Sequence, residues 1–421
     1  MKVNKTKFYT VLFAFILLLQ LYLSSFKINI FIQIFALIIY FYFEKVTFSK
    51  KFISFISPIF LLFFLGFVGT IVHRFPIVNV TKDIFHFLKP ILGLLIGYLF
   101  YKKINDFRIF VLTIVLSGFI SSIIHFVVLI VTGGFSTGTI SQIREFSKDN
   151  FLELFALFFL VFYKKFTKKN LFLSKIKHVV ILISLLISNC LYFSRTMIVV
   201  SVILLISVYG YIYITKKSIK YIGTTILLIF IFYSYLFSIK IERNKPGLEG
   251  FLYKVKIAPS ELFKTKIDRN NHKELWDHWR GYESKRAFAL MTSNPSSFIF
   301  GNGYGSLVNL KFKAPLTENK EGMKFISELH NGYSYILYKT GFIGLFILIY
   351  FLFNIYFLIY RYNKKNNFTL HFISAIGIIY LFTSLTITGI YNGRDVIIFI
   401  LGALFLFHSK ENNLVNVTID E

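Results

Sequence analysis

Long apolar stretches separated by short polar segments fill most of this chain. Twelve of them are apolar enough to form membrane-spanning helices, since a hydrocarbon core about 30 Å thick needs roughly 20 largely apolar residues per helix. These stretches cover residues 8–26, 28–44, 52–72, 84–101, 109–132, 150–163, 178–193, 196–214, 221–239, 333–359, 368–391 and 395–408. The pattern predicts an all-α polytopic integral membrane protein with about 12 transmembrane helices.

One long hydrophilic segment, residues 240–331, interrupts this pattern. It separates an N-terminal transmembrane bundle of about nine helices, residues 1–239, from residues 332–421, which hold about three helices and a tail. We therefore predict that residues 240–331 form a large, partly helical loop subdomain between two membrane-embedded parts.

The composition agrees with a membrane protein. Hydrophobic residues make up 56% of the chain and the mean hydropathy is +0.66, whereas soluble domains usually contain ~45–50% apolar residues. The single cysteine, Cys190, excludes an internal disulfide and a cysteine metal cluster.

The basic residues behind the net charge of +27 are distributed unequally between the two sides of the predicted membrane. With a cytoplasmic N-terminus, the cytoplasmic segments hold 22 Lys and Arg residues, while the short loops on the other side hold seven. This is the positive-inside asymmetry that orients helices during insertion. It predicts that both termini are cytoplasmic and that residues 240–331 are extracytoplasmic, and it gives no support to a nucleic-acid partner.

Two basic residues lie at unusual positions in the predicted helices. Lys89 precedes Pro90 inside an apolar stretch. A charged residue within a membrane span suggests a functional site, although the lysine could also snorkel to the interface or be neutral. Arg195 lies in NCLYFSRTMIVV, where two helices meet with almost no loop. Its guanidinium is either a snorkelling anchor or a clamp for an anion at the membrane surface.

The hydrophilic segment contains a predicted helix and a glycine turn. In NHKELWDHWRGYESKRAFALM the bulky residues recur at the spacing of one helical face. Trp276 and Trp279 on this helix either lie in the headgroup plane or pack the subdomain. The following FIFGNGYGSL has alternate glycines at Gly301, Gly303 and Gly305, which predict tight backbone turns.

Three motifs in chain order resemble the O-antigen ligase and O-antigen polymerase superfamily. The first is SRT at Arg195, and the second is an arginine, Arg280, followed by Pro295 and the G-x-G turn. The third is HNGYSYILYKTGFIGL, similar to the family pattern HNxYLxxLxxxGxxG at His330, Asn331, Tyr333, Leu337, Gly341 and Gly344, with Ser334 departing from it.

A second departure concerns the loop arginine. The family has an aromatic residue four positions after this arginine, where the chain has Ser284. Because Arg286 lies on the same predicted helix as Arg280, either arginine fits the family position. Glu283, three residues from both, is predicted to pair with one of them.

The resemblance implies a membrane glycosyltransferase. Such enzymes move a glycan from an undecaprenyl diphosphate carrier to a hydroxyl acceptor at the outer face of the cytoplasmic (inner) membrane, without nucleotide sugar, cofactor or metal. A polymerase uses a lipid-linked glycan as acceptor, and a ligase uses lipid A core or protein. The implied partners also include membrane lipid and a chain-length regulator protein. We favour polymerisation of surface-polysaccharide repeat units over ligation.

The resemblance also implies roles for individual residues. Arg195 and Arg280 hold the diphosphate, because a guanidinium donates paired hydrogen bonds to phosphate oxygens. His330 is the general base, because the ordinary pKa of histidine near ~6.5 suits proton abstraction at neutral pH. Supporting roles are predicted for Asn331, Glu328, Lys89, Arg144 and Arg286; Glu328 either orients the imidazole or is solvated.

Two other functions are less consistent with the sequence. A transporter would have charges buried within its spans and paired broken helices, and only Lys89 and Lys339 meet the first condition. A metal-dependent glycosyltransferase would carry acidic residues in its first external loop. That loop is essentially Phe26-Lys27 here and contains no acid.

Overall fold

The computed structural model describes residues 4–417, except residues 24, 135–142, 144–148, 244, 246–247, 265–266, 269–270, 316–321 and 362–366. Its N-terminal part is helical. The helices given bounds before residue 240, within the described residues, are α1 (Lys5–Tyr22), α2 (Phe26–Phe43), α3 (Lys50–Val72), α4 (Ile77–Ile104), α5 (Phe107–Val131), α6 (Phe151–Thr167), α7 (Lys175–Leu191), α8 (Arg195–Val208) and α9 (Lys216–Ser238).

Most of these helices begin after a residue whose side chain caps the first turn. In each case a side-chain oxygen accepts the backbone N–H three residues later, which satisfies a donor that the helix start leaves free. The capping residues are Asn4, Ser25, Ser49, Asp106, Asn150, Ser174, Ser194 and Thr215. The starts of these helices are therefore encoded locally.

The hydrophilic segment forms short helices and a small sheet. Its described elements are α10 (Leu248–Phe263), α11 (His272–Asp277), α12 (Trp279–Thr292), α13 (Ser297–Phe300), β1 (Val308–Ala314) and β2 (Met323–Ile326). The two strands are antiparallel, with Val308 opposite Ile326. The helix predicted around the two tryptophans is divided at His278 into α11 and α12.

The described part of the chain after residue 331 contains the α-helices α14 (Gly332–Arg361), α15 (Phe368–Thr386) and α16 (Ile397–Val417), with a short 3-10 helix at Gly389–Tyr391. Every apolar stretch predicted from the sequence is thus a helix in the described residues. Eight of these helices, α1–α5, α9, α14 and α15, are long and apolar enough to cross a membrane. The all-α polytopic fold class is confirmed.

Helix α4 lies at the centre of the bundle and packs against α1, α2, α3 and α16. In its most apolar window, 78% of the residues are buried. The corresponding window of α9 is only 6% buried. An apolar helix with so little protein contact is expected to face lipid, because lipid tails are as apolar as its side chains.

The predicted glycine turn joins the hydrophilic segment to the membrane helices. Gly303 has φ of +79° and lies against α3, so that a Cβ atom here would come within 2.1 Å of the Thr70 nitrogen. Gly341 interrupts α14 with φ of +69°, and its Cβ would approach the Ile299 oxygen of α13 to 2.1 Å. Only glycine allows both close contacts.

The two tryptophans pack within the subdomain. Trp279 is buried, and its ring lies 5.0 Å from the ring of Trp276 and 6.0 Å from that of Tyr282. Phe312 of β1 meets Trp279 edge-on. Packing, the second of the two predicted alternatives, thus accounts for Trp279.

A buried ion pair connects α4, the glycine turn and α14. The Nζ atom of Lys339 lies 2.5 Å from Oδ2 of Asp83, and both side chains are fully buried. The same Asp83 oxygen accepts the Gly305 N–H at 2.7 Å, while Lys339 also donates to the Ser306 carbonyl at 2.6 Å. Three segments far apart in the sequence are therefore joined by two charges.

We expect Lys339→Met to destabilise the protein strongly. Removal of one partner leaves the Asp83 carboxylate buried and uncompensated, which typically costs about 3–5 kcal/mol. Thermal unfolding of the purified protein in detergent measures the loss. The exposed-lysine variant Lys273→Met is the control, and the double variant Asp83→Leu/Lys339→Met should recover part of the stability. Unchanged unfolding of Lys339→Met would contradict the role of the pair.

Candidate active site

Helix α12 distributes three ionisable side chains to three different neighbours. Arg280 reaches Glu261 on α10, and Arg286 donates from Nε to the Asn309 carbonyl of β1 at 3.0 Å. Glu283 reaches His330, just before α14. Because three residues advance a helix by only about 4.5 Å, the contacts of Arg280 and Glu283 start from neighbouring positions on one helix.

Arg195 and Arg280 bind the same carboxylate. Nη1 and Nη2 of Arg195 both lie 3.1 Å from Oε1 of Glu261, and Nη1 of Arg280 lies 2.7 Å from Oε2. The Arg195 guanidinium also donates to the carbonyl oxygen of Lys254. The Glu261 side chain is only 10% exposed. Two guanidinium groups that share one carboxylate can also reach one phosphate-sized anion.

Glu283 holds both the backbone and the ring of His330. Its buried carboxylate accepts the His330 backbone N–H at 2.9 Å, and both of its oxygens lie 3.0 Å from Nδ1. The predicted pairing of Glu283 with Arg280 or Arg286 is wrong. The two arginines find acceptors on other elements, while His330 offers Glu283 two donors at one place.

This contact determines which ring nitrogen of His330 can act as a base. A carboxylate only accepts hydrogen bonds, so Nδ1 must carry the proton and the neutral ring presents Nε2 as an acceptor. None of the described residues hydrogen-bonds to Nε2, and the side chain is 54% exposed. The nitrogen that can take a proton thus has no partner among the described residues and belongs to a half-exposed side chain.

Asn331, next to this histidine, caps α14. Its Oδ1 accepts the Ser334 N–H at 3.0 Å, and its Nδ2 donates to the Leu385 carbonyl at 3.3 Å. The cap fixes the start of the helix directly after His330.

Glu328 points away from the imidazole of His330. Its Oε1 lies 2.8 Å from Nε2 of His86 and 3.1 Å from Nζ of Lys82, both on α4. Burial by itself would raise the pKa of Glu328, but the hydrogen bonds and charges of His86 and Lys82 lower it to about 2. Glu328 is therefore ionised and bound to α4, and Glu283 is the carboxylate that orients the imidazole.

Two other predicted site residues lie elsewhere. The side chain of Lys89, on α4, is fully buried and donates to the carbonyl oxygens of Asn392 and Asp395, which precede α16. Lys89 thus neither snorkels nor reaches the arginine cluster. Arg144 lies outside the described residues.

Glu261 and the partner of Glu283 were not predicted from the sequence. Glu261 belongs to no recognisable motif, so local pattern gave no reason to select it. Glu283 is the only acid between Arg280 and Arg286, but this spacing favours an arginine partner and contains no signal for His330. Among the described residues, no group of three or more His, Cys, Asp or Glu side chains could hold a metal ion.

Together, the fold and the site define a polytopic membrane protein in which one helix, α12, contributes both to an arginine pair on a shared carboxylate and to a carboxylate-oriented histidine. Residues 179–349 match a family model described as O-antigen ligase. No curated protein and no solved structure matches the chain.

The matched residues include both arginines, Glu261, Glu283 and His330, and they confirm the predicted resemblance to the O-antigen ligase and polymerase superfamily. The match supports glycosyl transfer of this general type, with lipid-linked glycans as substrates. With the apolar helices, it supports a multi-pass protein of the inner membrane.

Replacement of Glu283 should lower the rate of glycan transfer with little change in KM for the donor. Glu283→Gln keeps an acceptor for the ring but loses the charge that stabilises a protonated imidazole. Since general-base catalysis contributes ~10²–10⁴-fold, we expect kcat to fall about 10- to 100-fold. Steady-state kinetics of the purified protein measure both constants.

Two further variants test whether Glu283→Gln acts through the orientation of the His330 ring or through loss of folding. Glu283→Asp should recover part of kcat, because it restores the charge. Glu249→Gln, a surface acid on α10, should behave as the wild type. A rise in KM with unchanged kcat for Glu283→Gln would contradict the role.

Proposed function

We propose that this protein transfers a glycan from an undecaprenyl diphosphate carrier to a hydroxyl acceptor at the outer face of the inner membrane. The observation that carries the proposal is the convergence of Arg195 and Arg280 on one acidic group, with the Glu283–His330 pair on the same helix as Arg280. One helix, α12, thus links an anion site to a candidate base.

In this proposal the arginine pair binds the donor diphosphate. A guanidinium stays charged and donates paired hydrogen bonds to phosphate oxygens. As the bond between the anomeric carbon and the diphosphate oxygen breaks, the diphosphate leaves with the electron pair. By analogy with oxyanion sites, each donor that stabilises this charge contributes ~2.7–4 kcal/mol. Arg280 is favoured over Arg286, which binds the carbonyl oxygen of Asn309 on β1.

His330 activates the acceptor in the same step. Nε2 takes the proton of the attacking hydroxyl while the acceptor oxygen forms its bond to the anomeric carbon. Glu283 keeps the ring in the required tautomer and stabilises the imidazolium. Asn331 fixes the turn that presents the ring. These roles need no metal ion.

Polymerisation of surface-polysaccharide repeat units is the function that we favour, with a second lipid-linked glycan as acceptor and a chain-length regulator as a possible protein partner. Ligation to lipid A core or protein is the second candidate. It is favoured by the description of the matching family as O-antigen ligase. The two reactions share the same donor chemistry and differ in the acceptor.

We expect His330→Ala to abolish transfer but keep donor binding. Loss of the general base should reduce the transfer rate at least about 10²-fold. Arg195→Lys should instead weaken donor binding by about tenfold or more, because the lysine ammonium cannot donate the paired hydrogen bonds of a planar guanidinium. Transfer and binding of a radiolabelled lipid-linked glycan to purified protein measure the two effects.

His178→Ala, a histidine substitution at the start of α7, is the matched control and should retain wild-type transfer. The base assignment fails if His330→Ala transfers glycan at more than roughly a tenth of the wild-type rate. Normal donor binding by Arg195→Lys would show that Arg195 does not bind the diphosphate and only holds the loop in place.

The proposed outer orientation rests on the asymmetry of 22 against seven basic residues. Alkaline phosphatase fused after Asn294, between α12 and α13, should be active, because the enzyme folds only outside the cytoplasm. A fusion after Lys168 should be inactive. Green fluorescent protein at the same sites should give the opposite pattern, and a reversed result would invert the topology.

A further inference from the structure

A cavity of about 480 Å³ opens at the end of the bundle opposite the candidate active site. It lies where α3 begins and α14 ends, while His330 precedes the other end of α14. Its lining residues are Lys50, Lys51, Ser54, Phe55, Asn354, Leu358, Arg361 and Phe405. The volume falls within the ~300–1,000 Å³ of small-molecule sites.

The cavity has an apolar floor. Phe55, Leu358 and Phe405 are buried, and the rings of Phe55 and Phe405 are stacked with their centroids 4.4 Å apart. These side chains come from α3, α14 and α16, so the floor is formed by three membrane helices. It suits the glycerol backbone and the first methylene groups of a lipid.

The rim of the cavity is basic. Lys50, Lys51 and Arg361 are exposed, and none of the eight lining residues is acidic. The Arg361 Nη2 donates to Oδ1 of Asn354 at 3.1 Å, and both residues line the cavity. Lys50 and Arg361, with no acidic residue among the lining, form a site for an anion.

We propose that this cavity binds the headgroup of an anionic phospholipid of the cytoplasmic leaflet. Basic cavities between membrane helices on the cytoplasmic side are suited to phosphate headgroups, and the apolar floor distinguishes this cavity from a site for a free anion. The bound lipid joins α3 to α14. The opposite ends of these helices hold the Gly303 turn and the segment that follows His330, so the lipid stabilises the bundle that supports the candidate active site.

The test compares two lipids with identical acyl chains. Phosphatidylglycerol, but not phosphatidylcholine, should raise the thermal unfolding temperature of the purified protein in detergent. Each Lys or Arg near an anionic lipid contributes roughly a factor of five in affinity. Lys50→Gln/Arg361→Gln should therefore need about 25-fold more phosphatidylglycerol for the same shift.

The control is Lys168→Gln/Lys169→Gln, which removes two exposed lysines between α6 and α7 and should respond to phosphatidylglycerol as the wild type does. Lys50→Gln is a milder variant if the double variant fails to fold, and it should need about fivefold more lipid. The proposal is overturned if both double variants respond equally, if phosphatidylcholine gives the same shift, or if inorganic phosphate at millimolar concentration reproduces it.

Discussion

The buried pair between Asp83 and Lys339 is the interaction on which the arrangement of this protein depends. Charges in a membrane-embedded bundle are costly unless they meet a partner. These two make three hydrogen-bonding contacts, one with each other and two with the backbone of the glycine turn and Ser306. The pair thereby fixes α14 against α4 and holds the glycine turn that follows α13 in place. His330 immediately precedes α14, so its position follows from this anchor.

The candidate site uses the same physical rule at the surface of the bundle. Arg195 and Arg280 are brought together by Glu261, which supplies the negative charge that two adjacent guanidinium groups require. Glu283 is buried because His330 satisfies its oxygens. The two clusters start from one helix, α12, and differ in their chemistry: one places two guanidinium groups on a single carboxylate, and the other holds Nδ1 of an exposed imidazole.

The two ends of the bundle have different properties. The end that carries α12 and His330 combines arginines with carboxylates and has an exposed histidine side chain. At the other end, Lys50 and Arg361 are exposed beside an apolar floor without an acid. The first arrangement suits exchange of a ligand during turnover, whereas the second suits a lipid that stays bound and stabilises α3 and α14.

The sequence by itself determined the helices, their caps, the glycine turns and the residues of the HN motif, because apolar runs, side-chain caps and positive φ angles are local properties. The motifs in the sequence also identified Arg195, Arg280 and His330 as candidate site residues. Tertiary structure alone decided their partners. Glu283 lies three residues from Arg280, a spacing that favours pairing on an isolated helix, yet it binds His330, which is distant in sequence but adjacent in the fold. Glu261 has no motif, and its role arises only where α10 meets α8 and α12, because such contacts depend on packing that no local pattern encodes.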